Sequence, residues 1–381
     1  MFQLAPTSPT AGSQVRKPFL KVLLNGAVVL PAYSAEVTNN SHFTSDKFRV
    51  DCALSGMAAG YGASYWADSV NDRVQISMGV QAQTASSSNV AWNQPGQSQQ
   101  SSGTPYILGQ VDNAEIDQVR QVLTLTGRDL SAVFLDAQTT QKFQNQTSSQ
   151  IAATLAARHG LQTNIAATMT PVGTYYTADR VNLTRKQSEW DLLIFLAQHE
   201  GFDLWVSGNT LNFQPSLNLA TATPYVMIYS SAPSRFASFM DLKMSRSQTL
   251  ARDVTVTVRS WNQVQQKGFT VTAKRQQAAK GQRAGGPAQN YTFTVPNLDQ
   301  VSAQNYANRK LEEITRMERV INAELAGDDT LTIRTPIQLV GTGTSFDQLY
   351  YPDTITRSIS FESFRMKVRA KNHSTESMVV E

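Results

Sequence analysis

One cysteine, Cys52, in 381 residues excludes an intramolecular disulfide, and with only four histidines it leaves no Cys/His set of the kind that holds a structural zinc. Charge is scarce as well. Asp, Glu, Lys and Arg make up 16% of the chain and the net charge is +4, too little, without concentration on one face, to predict nucleic-acid binding. No uninterrupted run of about 18 apolar residues occurs, and "MFQLAPTSPTAGSQVRK" has no basic region followed by an apolar core. We therefore expect a protein made in the cytoplasm that stays soluble and does not insert into a membrane.

Catalytic signatures are missing too. There is no G-x-x-x-x-G-K-[ST] loop to cradle a phosphate and no G-x-S-x-G elbow. His199-Glu200 begins like the zinc-protease motif H-E-x-x-H, but Gly201, Phe202 and Asp203 follow and the second histidine is absent. "GTGTSFDQ", with Gly341 and Gly343, runs from one expected strand to another without the helix N-terminus an anion site needs, so it reads as a tight β connection. We assign no catalytic, cofactor or metal residue, expect no enzyme, and expect no cofactor. A glycosidase's carboxylates carry no sequence signature, so an enzyme of that kind stays open as an alternative.

What the chain does have is 41% hydrophobic residues with abundant Ser, Thr, Gln and Asn, the composition of folded domains with weakly charged surfaces suited to large polar interfaces. At about 100 to 200 residues per domain, two or three are expected. Residues 1–15 should form a flexible tail. "FLKVLLNGAVVLP" contains two apolar runs around Asn25-Gly26, a hairpin signal. In "KFRVDCAL", Phe48, Val50, Cys52 and Leu54 alternate with Lys47, Arg49 and Asp51, so Cys52 is a buried strand residue; "RVQISMGVQ" and "VRQVLTLTG" continue the alternation. A first β-barrel or sandwich over 16–137 follows, interrupted by the polar stretch 84–105, where Trp92 either folds back or meets a partner.

The period then changes. "TSSQIAATLAARHG" reads as a helix capped by Thr147 or Ser148 and stopped at Gly160, with strand "LQTNI" behind it. "SEWDLLIFLAQHEGFDLWV" repeats this grammar at an offset of 41, with Ser188 and Asp191 in capping-box positions and Gly201 as the stop. His159 and His199 fall in the last helical turns, where they suit bonds to free carbonyls. A small α/β domain over 138–225 is expected.

From 226 to 381 the pattern is β again. Loop 275–290 is Gly-, Ala- and Gln-rich, and Lys274, Arg275, Lys280 and Arg283 could contact phosphates or an acidic partner, although a solvated loop is the favoured reading. A long helix is expected at about 302–325, with Tyr306, Ala307, Leu311, Ile314, Met317 and Ile321 as its apolar stripe. Ile359, Phe361, Phe364, Met366 and Val368 are candidate core residues of the closing strands.

Four segments in this order resemble the baseplate hub proteins of contractile-tailed phages, the late control protein D family, related to the hub part of type VI secretion spike proteins. They are the opening strand with "LNG"; "LTLTGRDLSAVFLDAQT"; the pair "SSQIAATLAARHGL" and "SEWDLLIFLAQHEGFDLWVSGNTLNF"; and "IQLVGTGTSFDQLYYPDTITRSISFESFRMKVRAKN". Together they span roughly residues 17 to 372. The resemblance implies a mainly β (α+β) chain: two β-barrel tube domains with the α/β domain between them and the long helix in the second. It implies a homotrimer of pseudo-sixfold symmetry in the virion baseplate, assembled in the host cytoplasm. Its partners would be the central spike protein, the tail tube or a tube-initiator protein, and baseplate wedge proteins, with DNA passing non-specifically through the lumen. The alternatives are a cell-wall hydrolase associated with the baseplate and a DNA-binding tail component. The long 84–105 loop and the basic 275–290 loop depart from the family pattern.

Overall fold

Asn25 and Gly26 both adopt positive φ, 48° and 73°, and turn β1 (Arg16–Leu24) back into β2 (Val28–Leu30). The turn has three residues, one more than the Asn-Gly pair, because Leu24 pairs with Val28 and the Asn25 N–H donates outward to the Arg73 carbonyl. The computed structural model describes residues 16–41, 43–82, 106–139, 143, 146–169, 187–216, 222–231, 235–247, 254–262, 266–275, 289–296, 298, 300–315, 318–328 and 330–372. Among these no helix is long and apolar enough to cross a membrane.

After Pro31 come β3 (Ala32–Asn40), β4 (Lys47–Ala53), the short α1 (Ala63–Asp68), β5 (Arg73–Ala82), β6 (Ile107–Asp117) and β7 (Val122–Asp129). Each strand pairs antiparallel with the next in the order β3-β4-β7-β6-β5-β1, and β1 pairs with β2, the chain-continuous extension of β3. The pairings return to their start, a closed first ring. Its interior holds Val22, Val37, Val50, Cys52, Ile76 and Leu125, all fully buried. Burial, then the charge of Asp51, pushes the Cys52 thiol up to about 12, so it packs as a small hydrophobe.

The next unit contains α2 (Ala132–Asp136), β8 (Gln138–Thr139), α3 (Ser148–Arg158), β9 (Gln162–Ile165), β10 (Gln187–Ser188), α4 (Glu189–Glu200), β11 (Phe202–Ser207) and β12 (Thr210–Pro215). Thr147 caps α3 in a full capping box with Gln150. At α4 the Ser188 hydroxyl accepts from the Asp191 N–H and donates to the Asp191 carboxylate, so the reciprocal arm runs to the hydroxyl instead of the backbone. Gly160 and Gly201 both take left-handed φ, 70° and 76°, and each releases the chain toward a strand. β9 and β11 flank β12, and Leu155, Leu193, Leu196 and Phe213 form the core beneath.

The remaining elements are β13 (Tyr225–Ser230), β14 (Phe236–Ala237), β15 (Asp241–Arg246), β16 (Val254–Asn262), β17 (Lys267–Arg275), β18 (Gln289–Thr294), α5 (Gln300–Thr315), β19 (Arg319–Ala326), β20 (Ile337–Val340), β21 (Leu349–Ile359) and β22 (Phe364–Asn372). A second ring runs β15-β19-β22-β21-β20-β13. It closes where the Ser238 N–H donates to Ile228 and the Met240 N–H to Glu324. Strands β16 to β18 stay outside this ring: they form their own sheet, covered by α5 through Val256, Val258, Ala303 and Ala307.

Two expectations need correction. The long helix ends at Thr315 instead of about 325, and "RVINAELA" is strand β19. Its apolar residues satisfy both periods, since Ile314, Ile321 and Leu325 fit a helix while Ile321, Ala323 and Leu325 fit a strand. Pairing with β15 on one side and β22 on the other decides for the strand. Phe361 is 88% exposed rather than core; it sits in the β21–β22 turn, stacked on Tyr33, while Ile359, Phe364, Met366 and Val368 are buried as expected.

The two rings share a plan. Strands β3, β4, β5, β6, β7 and β15, β19, β20, β21, β22 occur in the same chain order and pair in the same antiparallel order, with β16–β18 and α5 inserted after β15. Each long hairpin carries one bulge, at Val111/Asn113 in β6 and at Pro352/Thr354 in β21. Superposing the bulges and following the registers equates Asn113 with Thr354, Thr126 with Arg369, Arg49 with Asn322 and Glu36 with Lys243. The departure is at closure, where β1 meets β5 antiparallel but β13 meets β20 parallel.

Candidate functional site

The rings meet strand to strand. β21 pairs antiparallel with β3 from Thr354↔Asn40 to Ile359↔Ala35, and this seam fuses both rings into one eight-stranded face, β15-β19-β22-β21-β3-β4-β7-β6. Because side chains alternate across a strand, the register predicts which residues share the side away from both cores. One row crosses the seam as Asp241, Glu324, Lys367, Thr356, Thr38, Lys47 and Arg128; its neighbour holds Arg365, Ser358, Glu36, Arg49 and Thr126. Apart from Ala326, which pairs with Arg365 at the end of the second row, neither row carries an apolar side chain.

Many charges on this face are compensated. Arg365 bonds Glu324 at 2.8 Å, Arg128 bonds Asp112 at 2.7 Å and reaches Asp136, and Arg369 and Lys371 approach Asp353 at 3.7 and 2.6 Å. The hydrogen bond from Arg365 holds the Glu324 carboxyl below its ordinary value. Such a wall is polar and nearly neutral, with little to hold a polyanion in one place.

Beneath the seam the buried Arg357 of β21 bonds the carbonyls of Asp328 and Leu331 and the Asn39 side chain, and lies 4.7 Å from the Tyr106 ring centre. One side chain thus ties β21 to both rings. At the corner where the first ring meets the α/β unit, Asp129 accepts from Ser45 and Ser131, and Asp46 accepts from the Asn39 side chain and the Asn40 N–H. Burial, then the nearby Asp129 charge, pushes Asp46 up to about 7; burial raises Asp129 as well. These acids line a small cavity of about 90 Å³ together with Phe43, Trp190, Trp205 and Tyr351.

His199 and Glu200 sit where the sequence suggested, but they do architectural work. Glu200, ending α4, accepts from Ser148 at the start of α3 at 2.7 Å, with His199 3.8 Å away. Burial pushes Glu200 up, yet the bonds from His199 and Ser148 and the charges of His199 and Arg309 outweigh it and leave the carboxyl below its usual range. Reciprocally, Arg158 and His159, ending α3, pair with the buried Glu189 that starts α4, His159 at 2.6 Å. The helices are cross-tied end to start, each carboxylate near a helix end whose dipole or charge suits it. His159 therefore meets a carboxylate, not the free carbonyls expected of it.

Lys274 is exposed on β17 and Arg275 ends that strand. Trp92, Lys280, Arg283, the 84–105 loop, the 1–15 tail and residues 276–288 lie outside the described residues. Among the described residues no group of three His, Cys, Asp or Glu side chains is placed to hold a metal. Sequence reading missed Arg357, Asp46 and Asp129. For Arg357 and Asp129 the only signal was a charged residue at an inward strand position, as Arg357 is between Ile355 and Ile359; Asp46, just before β4, gave none.

No protein-family model and no characterised relative matches the sequence. Solved structures do match. A tail protein from Neisseria meningitidis MC58 superposes with a TM-score of 0.64 at 12% identity, covering 93% of this chain and 96% of that one. The 43 kDa tail protein of prophage MuSo2 from Shewanella oneidensis gives 0.60 at 12% identity, with 93% and 96% covered. A component of the E. coli type VI secretion system, described as structurally similar to the T4 tail proteins gp27 and gp5, gives 0.51 at 10% identity, with 93% and 77% covered. The fold is that of phage tail proteins.

Proposed function

We propose that this chain is the structural hub of a contractile-tail baseplate, of a phage or a phage-derived injection machine. Three copies form a ring that adapts the sixfold tail tube to a trimeric central spike. The seam carries this reading. One chain sets two rings of the same strand plan side by side in a single sheet, so three chains supply six such units while keeping threefold symmetry.

In this reading the chain has tube domains at 16–137 and 226–381 and an α/β domain at 138–225. It binds the spike at one end, the tube or a tube initiator at the other, and wedge proteins around its rim. The polar face of the shared sheet walls a lumen through which DNA passes without being recognised. Trp92, Lys274, Arg275, Lys280 and Arg283 are proposed partner contacts. The hub acts by matching symmetry and transmitting load, without catalysis.

Native mass measurement with electron microscopy tests it. The expected result is a trimer with a central channel wide enough for duplex DNA; a monomer, or a trimer with no channel, overturns the assignment.

A further inference from the structure

We infer that the two open edges of the shared sheet pair with each other between copies of the chain: β15 of one copy runs antiparallel to residues 113–117 of β6 in the next, with Met244 opposite Ile116 and Lys243 opposite Asp117. The proposal rests on the ring reading above and gives it an interface and a register.

Each ring has the same two edge strands. In the first ring β3 is flanked by β4 and, across the seam, by β21. Its counterpart β15 pairs with β19, and among the described residues nothing covers its other side. In the second ring β21 is flanked by β22 and, from Thr354 to Ile359, by β3. Its counterpart β6 pairs with β7, while β5 reaches only Ile107 to Gln110; residues 113–117 have no second neighbour among the described residues. Each ring thus offers a β3-type edge and a β21-type edge, and among the described residues one of each has no strand partner.

Burial agrees with this. Val37 of β3 is fully buried opposite Arg357, whereas its counterpart Met244 is 39% exposed, and Met240 and Phe236, which precede it in the chain, are exposed too. An uncovered strand edge with apolar side chains invites another strand. The seam supplies the register. Arg357↔Val37 becomes Ile116↔Met244, Ser358↔Glu36 becomes Asp117↔Lys243, and Thr356↔Thr38 becomes Glu115↔Ser245. An apolar pair and an opposite-charge pair fall directly across from each other without adjustment, the cross-strand combinations that stabilise an antiparallel sheet. The contact is head-to-tail, so it closes into a ring only if the rotation per chain divides the circle.

Cysteine cross-linking in the full chain tests the register, since the native Cys52 is fully buried. Directly opposed antiparallel residues have Cα atoms about 4.5 to 5.5 Å apart, within disulfide range. Under mild oxidation the double variant I116C/M244C should give covalent dimers and trimers on a non-reducing gel, and the off-register pair Q110C/M244C should give none. Asp117→Lys should weaken assembly about fivefold, and D117K with K243D should restore it. A trimer in native mass measurement with no I116C/M244C cross-link and no response to D117K means the copies meet elsewhere, which overturns the edge pairing and leaves the hub standing. Cross-linked ladders that never close at three support the edge pairing and overturn the trimeric hub. A monomer overturns both.

Discussion

Phe48 and Ile321 occupy equivalent places in the two rings, and their surroundings differ to match. Beside Phe48 the first ring has Gly109 and Gly127, where an added Cβ would lie 2.5 and 2.6 Å from the Phe48 ring. At the equivalent positions the second ring carries Tyr350 and Ala370, both fully buried. The aromatic bulk has moved from one strand to its neighbour, and the interior is filled either way. A second exchange lies at the lower corner: Asp46 and Asp129 in the first ring stand where the second has Arg319 and Asn372, and there the Asn372 side chain accepts from the Arg319 N–H at 2.9 Å. One strand plan therefore tolerates different residues provided that each cluster keeps its volume.

The largest expected effect comes from separating the rings. Arg357→Ala leaves the Asp328 and Leu331 carbonyls without their donor and opens a void beside Tyr106, so we expect a loss of about 3 kcal/mol or more. Calorimetry should show the native chain unfolding in one transition and the variant in two. Next, Gly127→Ala should cost about 1 to 3 kcal/mol by overpacking, read from denaturant midpoints, and adding Phe48→Ile, the residue of the second ring, should recover much of it. Ala370→Gly in the second ring should cost less, having no clash to relieve.

A smaller effect tests the acidic corner. With Asp46 near 7 in the folded chain and about 4 when unfolded, the folded state holds a proton between those values that the unfolded state has released. Stability contributed at this corner therefore falls as pH rises from about 4 to 7. Asp129→Asn keeps the acceptor for Ser45 and Ser131 but removes the neighbouring charge, as Asn372 does in the second ring. Its melting temperature should change less with pH across that window and exceed the native value at pH 8. Smallest of all, and outside both rings, Glu200→Gln should cost about 1 kcal/mol or less, since it weakens a single hydrogen bond between α3 and α4.

Much of the fold was legible locally. Alternation in "KFRVDCAL" and "RVQISMGVQ", the caps at Thr147 and Ser188 and the left-handed stops at Gly160 and Gly201 each follow from side-chain period or backbone sterics within a few residues. Legibility ended where two local readings tied. "RVINAELA" suits a helix or a strand, and Phe361 continues an apolar pattern that the turn interrupts. The candidate site was less legible still. His199 and Glu200 drew attention because they are adjacent in sequence, whereas Arg357, Asn39 and Asp328 work together from positions far apart in the chain.

The sequence alone determined the alternation that makes strands, the glycines that end helices and the order of β, α/β and β segments, because these depend on neighbours a few residues away. Only the tertiary structure decided that the rings share one register, that β21 joins β3, and that β15 and residues 113–117 of β6 have no second strand neighbour among the described residues. Strand pairing joins backbone groups that are alike in every residue, so which strands meet is settled by the burial of whole faces and not by any local signal.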